Sequence, residues 1–272
     1  TERRGFALAA HVSGGNVGTV LVPLLGGLLI ATLGWRSTMF IFAAIAALVG
    51  LMMVFYLNEP AASGDSLRAG QSSSKSEIKK ILANRNIRLI FIASIVAAGG
   101  RGLGVLITYI PLYLQKGLGL EFQYSNILFT ILLLGSVIGP VFLGKASDQQ
   151  GRRTILILTY SMAMVLMLIF TTISGTSLVM PIILLAMGVV AYAESPLLQA
   201  FLADSTEGLN RDLTFALYFT LAFGVGAFWA QVLGWVTDNY GYTVGFYVMA
   251  ASYVAAALTV IPMRDVRNTA KR

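Results

Sequence analysis

The chain has no cysteine and a single histidine, His11. Without cysteine there is no disulfide, no thiolate metal site and no cysteine nucleophile. One histidine leaves no histidine-rich metal cluster, so no metal is expected. Charge is also scarce: 11% of the 272 residues are charged, about half the share of an ordinary soluble domain. No glycine loop with a following lysine is present to cradle phosphates. Ser195, in Glu194-Ser195-Pro196, lacks the glycine-flanked elbow of a hydrolase nucleophile. These absences exclude an enzyme of the usual chemistries, and no cofactor is expected.

Apolar residues are what the chain has in excess. They make up 57% of it and fall in long runs. A run of about 20 apolar residues is long enough to cross the hydrocarbon core, and only a helix can do so with its backbone groups satisfied. Eight such runs are predicted, at 6–30, 37–57, 88–114, 124–143, 153–172, 178–203, 212–236 and 242–262. The expected fold is an all-α, polytopic membrane bundle. Most connections are short. The exception is 58–87, which holds Pro60, Gly64, Gly70 and three consecutive serines before a basic stretch. It reads as a flexible linker followed by a basic amphipathic segment on the membrane surface.

The net charge of +7 reads as loop charge facing lipid rather than as a nucleic-acid surface. With a cytoplasmic N-terminus, sixteen of the nineteen lysines and arginines fall on inside segments. Arg36 and Lys116 remain outside, and Arg101 lies within a span. The positive-inside rule predicts this asymmetry, which places both termini of the chain in the cytoplasm.

The two ends of the chain echo each other. Gly27, Gly34 and Trp35 recur as Gly234, Gly241 and Tyr242, 207 positions later, and Phe6-Ala7-Leu8 recurs as Phe215-Ala216-Leu217. The first two spans therefore match the last two. A parallel repeat of this kind has a six-helix unit, so a full pair of units would have twelve spans. The chain opens on Thr1-Glu2-Arg3-Arg4 and enters an apolar run at once. Four preceding spans are expected to be missing. Residues 1–57 would be the last two helices of an N-terminal half, 58–87 a cytoplasmic linker between halves, and 88–272 the six-helix C-terminal half.

Three motifs carry a resemblance. Gly144, Asp148, Gly151, Arg152 and Arg153 lie in G-K-A-S-D-Q-Q-G-R-R between the fourth and fifth spans. Gly135, Gly139 and Pro140 end the fourth span as G-x-x-x-G-P, and Gly18, Pro23, Gly26 and Gly27 form a glycine-proline run in the first. With these motifs the chain resembles the major facilitator superfamily over its whole length. Ala146 and Gln149 depart from the family's signature loop, and Val22 stands where its antiporter motif has glycine. The resemblance implies a secondary transporter with its cavity between two pseudo-symmetric halves, monomeric when full length and seated in the plasma (inner) membrane.

Several residues are candidates for function. Arg101 near the middle of a span costs about 2.5–3.5 kcal/mol to insert, so it reads either as an anion site or as half of an internal pair. Gly104 and Thr108, three and seven residues on, are expected on its face, with Tyr109 beside them. Glu194 is the only acid well inside a span. Burial raises a carboxyl pKa, which suits a proton carrier; the alternatives are a partner for Arg101 or a solvated cavity-end charge. Tyr192, Ser195 and Gln199 are expected around it. Asp148 is expected at a helix N-terminus, and Arg152 and Arg153 are expected to pair with Asp204, Glu207 or Asp212 near Arg211, as a latch or as plain topology charges. His11 reads as packing rather than coupling. The expected activity is proton-coupled efflux of a drug-like or anionic small organic solute, with uptake symport and a non-transporting receptor or scaffold as rivals.

Overall fold

The computed structural model describes residues 3–56 and 74–265, with the backbone alone for 3–14, 16 and 74. The His11 side chain, most of the expected linker and the last seven residues therefore lie outside what is described. The elements are α1 (Arg3–Tyr56), α2 (Ser74–Ala83), α3 (Arg85–Gly117), α4 (Phe122–Gln150), α5 (Arg152–Phe170), α6 (Met180–Ser205), α7 (Arg211–Tyr240) and α8 (Tyr242–Val260). No strand occurs among the described residues. All but α2 are long and apolar enough to cross a membrane.

α1 contains two of the expected spans. Gly34, with φ 78 and ψ 162, interrupts it. Gly241, 207 positions on, joins α7 to α8 with φ 87 and ψ 165. Gly151 joins α4 to α5 with φ 99 and ψ 141. This extended, positive-φ conformation is open essentially to glycine alone, and it lets the chain reverse between two spans in one residue. It also revises the signature segment. Residues 144–150 are the last turns of α4 rather than a loop, and only Gly151 is non-helical. The start of α3 moves as well. Asn84 accepts hydrogen bonds from the N–H groups of Asn86 (3.0 Å) and Ile87 (3.3 Å), so the helix begins at Arg85 rather than at 88. Such a cap satisfies donors the helix leaves orphaned.

The most extensive pairing is α4 on α6, and glycine makes it possible. A Cβ on Gly139 would lie 2.0 Å from the Val189 carbonyl oxygen, one on Gly135 2.4 Å from that of Leu185, and one on Gly188 1.8 Å from that of Leu132. Lipid is as apolar as the side chains it would replace, so close backbone approach rather than a hydrophobic drive holds such helices together. α5 fills the groove between α6 and α8, and α8 closes against α3. α1 packs against α4, but its glycine-proline run does so unevenly. A Cβ on Gly27 would meet the Asn126 side chain at 2.6 Å, Gly26 has only ordinary contact with Phe42, and nothing lies within 4 Å of Gly18.

One end of the bundle gathers the basic segments. There Asn84 donates to the Ser205 carbonyl (3.2 Å), and Asn86 both donates to the Arg264 carbonyl (2.8 Å) and accepts from its N–H (3.1 Å). The bases of α3, α6 and α8 are thus tied together beside Arg152 and Arg153, which open α5. Lys116 lies at the other end of α3.

Gly188→Ala should unfold or strongly destabilise the protein, by about 1–3 kcal/mol or more for an overpacked contact. Gly144→Ala, with nothing within 4 Å of the new methyl group, should leave the thermal midpoint in detergent unchanged. Equal midpoints for the two variants would contradict the packing described.

Candidate functional site

Halfway along α3 the sequence Gly99-Gly100-Arg101-Gly102-Leu103-Gly104 has four glycines in six residues. Glycine costs a helix about 1 kcal/mol per residue relative to alanine, and here the helix breaks. Arg101 is extended (φ −62, ψ 138), and Gly104 has φ 116 and ψ −75. The glycines also admit neighbouring rings. A Cβ on Gly100 would lie 2.5 Å from the Tyr253 ring, and one on Gly102 2.5 Å from the Tyr192 ring. The Tyr253 hydroxyl donates to the Gly100 carbonyl freed by the break. Unwound backbone at membrane depth persists where protein groups take over its hydrogen bonds. α7 departs from regular α-helix opposite, over Thr220–Val225, and Gly226 lets it approach Ala98 of α3.

The break places Arg101 in the centre of the bundle, 3% exposed, beside Glu194 of α6, which is fully buried. Arg101 Nε donates to Glu194 Oε2 at 3.0 Å and Nη2 to Oε1 at 3.3 Å. Nη2 also donates to the Ser94 carbonyl (2.6 Å) and Nη1 to the Ala222 carbonyl (3.1 Å). Four of the five guanidinium N–H groups are thereby engaged. Ser94 precedes the break in α3, and Ala222 lies in the irregular turn of α7, so one side chain ties both interrupted helices to α6. The Tyr160 hydroxyl, from α5, approaches Glu194 Oε1 at 3.4 Å. Tyr160 and Tyr253 lie side by side with ring centroids 5.7 Å apart.

Two cavities border Arg101, while Glu194, fully buried, lines neither. One, of about 310 Å³, lies between the broken segments against Ala98, Ala222, Gly226, Ala227 and Ala230. The other, of about 190 Å³, lies against Ser136, Tyr192, Ser195 and Gln199. Arg101, Leu103 and Phe223 border both. The Phe223 ring centroid is 5.7 Å from the Arg101 guanidinium carbon.

The sequence-predicted residues are partly brought together. Arg101 and Glu194 meet directly. Thr108 does not join them: it is exposed and donates to the Gly104 carbonyl (2.9 Å). The expected common face of Arg101, Gly104 and Thr108 is lost because the helix is interrupted between them. Tyr109 is turned toward α7, where its hydroxyl donates to the Ala230 carbonyl (2.8 Å). Gln199 donates to Ser195 (3.0 Å) rather than to Glu194, and Tyr192 lines the smaller cavity. Tyr160 escaped the sequence reading, since a tyrosine on another helix gives no local sign of its partner.

At the basic end, Arg152 Nε donates to Asp204 Oδ2 (3.0 Å), Nη2 pairs with Asp148 Oδ1 (2.8 Å) and Nη1 donates to Ser147 Oγ (2.7 Å). Asp148 thus sits in the last turn of α4, facing Arg152. The carboxylate near the N-terminus of α5 is Asp265, which accepts the Arg153 N–H at 3.4 Å and would collide with any Cβ on Gly151. Asp265 also escaped sequence reading, being one acid in a basic tail. Glu207 and Asp212 are exposed and form no ion pair with Arg152 or Arg153 among the described residues. Arg211 is exposed, with its guanidinium 5.6 Å from the Phe215 ring centroid.

A bundle of helices long and apolar enough to cross a membrane, interrupted around a buried ion pair and with an arginine cluster at one end, is a multi-pass membrane protein. The chain belongs to the Major Facilitator Superfamily, whose pattern matches residues 1–230 and 125–272. That family consists of transport proteins rather than enzymes. Among the chain's relatives is the cis,cis-muconate transport protein of Acinetobacter baylyi, 26% identical over 93% of this chain and 62% of that protein. The multidrug resistance protein MdtG of Proteus mirabilis is 26% identical over 92% of this chain and 62% of that protein. A Lactococcus lactis homolog of the multi-drug resistance efflux pump PmrA is 26% identical over 58% of this chain. The chain spans about 62% of the length of the first two.

Removing one member of a buried pair strands the other, at a cost of about 3–5 kcal/mol. Arg101→Met should therefore lower the thermal midpoint steeply, and adding Glu194→Met should restore part of the loss. Strictly additive losses would show that the two side chains are energetically independent.

Proposed function

We propose that the protein is a monomeric secondary active transporter of the inner membrane. It moves a small organic solute by rocking of two halves around the Arg101–Glu194 site, with protons as the driving ion and efflux as the direction. The observation that carries this reading is the buried ion pair at the helix interruptions, whose Arg101 borders two cavities. A charge pair so deep in a membrane bundle is costly to build, which favours a role in the transport cycle.

In this reading Glu194 carries the proton. Protonation removes its charge and leaves Arg101 with the Ser94 and Ala222 carbonyls, so α6 separates from the interrupted segments of α3 and α7. A change of that kind biases one of two global states, as coupling requires. The walls of the larger cavity are mostly alanine and glycine, and Arg101 is occupied by Glu194. Both features favour an apolar, drug-like solute while Glu194 is ionised. An anionic solute becomes the better guest once Glu194 is protonated and Arg101 is released. That second reading is uptake symport of a metabolite, and the relative named for muconate transport favours it. A receptor or scaffold that keeps the fold is the rival from outside transport.

The domain division follows the repeat. Residues 1–57 belong to the first half, 58–87 to the linker and 88–272 to the second half. The shared backbone conformation of Gly34 and Gly241 supports it. The gathering of basic segments at one end of the bundle supports cytoplasmic termini. The Arg152–Asp148–Asp204 cluster would then latch that end in one state, with Gly144 and Gly151 shaping its approach.

Full-length protein in vesicles with an imposed proton gradient should move ethidium outward, or muconate inward in the second reading. Glu194→Gln should abolish gradient-driven movement and leave counterflow intact; gradient-driven transport by that variant would remove Glu194 as the carrier. Arg101→Lys, which cannot reproduce the guanidinium fork, should weaken muconate more than ethidium, and unchanged affinity for both would exclude Arg101 from the site. A scaffold would show neither flux nor counterflow.

A further inference from the structure

The short helix α2 takes no part in the site. Its Ile81 is fully buried, which seats it on the base of the bundle, against α3 and the start of α7. Asn84, directly after it, is bonded to Ser205 of α6. The helix is therefore held in place, and a single residue separates it from the first turn of the spanning helix α3. On the side away from Ile81, Lys75, Lys79 and Lys80 are exposed, with Leu82 among them; Arg85 and Arg88 are exposed on the first turn of α3. Glu77 is the one acid in this stretch, and it pairs with Lys80 at 2.9 Å. Among the described residues, Lys75, Lys79, Arg85 and Arg88 form no ion pair.

With α3 spanning a membrane, these four uncompensated cations, two on the fixed helix α2 and two on the first turn of α3, lie at headgroup depth. There each basic residue gains from an anionic surface, and an exposed leucine among lysines suits an interfacial helix. We infer that α2 and the first turn of α3 form a binding surface for anionic phospholipid headgroups, which holds the base of α3 at the membrane surface. Long side chains on the terminal turn reach the headgroups while their stems stay on the helix. A headgroup bound there bears on the bundle through Asn84 and Ser205, and through Asn86 and Arg264. The inference rests on the chain spanning a membrane and is independent of the transport reading.

The test uses full-length protein in nanodiscs of phosphatidylcholine alone or of a roughly 7:3 mixture with phosphatidylglycerol, where the ratio of phosphatidylglycerol to phosphatidylcholine around the protein should exceed the bulk ratio about fivefold, the equivalent of one basic residue's attraction. The 272 residues contain no cysteine, so Ser76→Cys, on the exposed side of α2, can carry a bimane reporter in a full-length background from which any other cysteine has been replaced. The emission should shift when phosphatidylglycerol is present, and lipid extracted with the protein should be enriched in it. Lys75→Gln/Lys79→Gln/Lys80→Gln should abolish both effects without lowering the thermal midpoint in phosphatidylcholine. Arg85→Gln/Arg88→Gln is the second variant and should weaken both. Inorganic phosphate should leave the emission unchanged. A reporter blind to phosphatidylglycerol, a triple variant that keeps the enrichment, or a response to phosphate alone would overturn the assignment.

Discussion

The arrangement depends on one ion pair. Arg101 and Glu194 lie in the middle of the bundle, on helices that run beside each other, and each would be untenable there alone. The pair is more than a neutralisation. Through the Ser94 and Ala222 carbonyls, the same guanidinium engages the interrupted helices α3 and α7, and Tyr160 and Tyr253 pack side by side next to it. Five helices, α3, α5, α6, α7 and α8, therefore meet around one electrostatic centre.

Glycine sets up that centre by two different means. At 99–104 it weakens α3 enough for the helix to break and leaves room for the rings of Tyr253 and Tyr192. At Gly135, Gly139 and Gly188 it leaves α4 and α6 intact but brings their backbones together, so the helix carrying Glu194 is held rigidly by its neighbour. A helix interrupted by glycine thus stands against one packed closely through glycine, a contrast that the proposed alternating access would use. The same residue reverses the chain at Gly34, Gly151 and Gly241, and the likeness of Gly34 to Gly241 repeats in backbone angles what their flanking sequences share.

Much of this was legible in the sequence. The lengths of the apolar runs gave the spans, the lysine and arginine distribution marked the basic end, and mid-span charge singled out Arg101 and Glu194. The signature motif marks Arg152 and Arg153, with Asp204, Glu207 and Asp212 as candidate partners; Arg152 pairs with Asp204. What could not be read was anything that depends on a break or on a neighbour. A regular helix through Arg101 would put Thr108 on the same face; the four glycines at 99–104 are the sign in the sequence that the helix breaks there. Asp148 was expected at a helix N-terminus, but Asp265 stands there because α4 continues to Gln150 and turns in one residue. Tyr160 and Gly188 act through partners on other helices, and no local pattern announces such contacts.

The proposal at the centre of this account is that the Arg101–Glu194 pair opens during the working cycle when Glu194 takes up a proton. Infrared difference spectroscopy of the full-length protein, with Glu194→Gln to assign the band, observes that directly. The account predicts a carboxylate band in the resting protein that converts to a protonated carbonyl band when solute binds at acidic pH. A Glu194 band that stays ionised under every condition in which solute moves would contradict it.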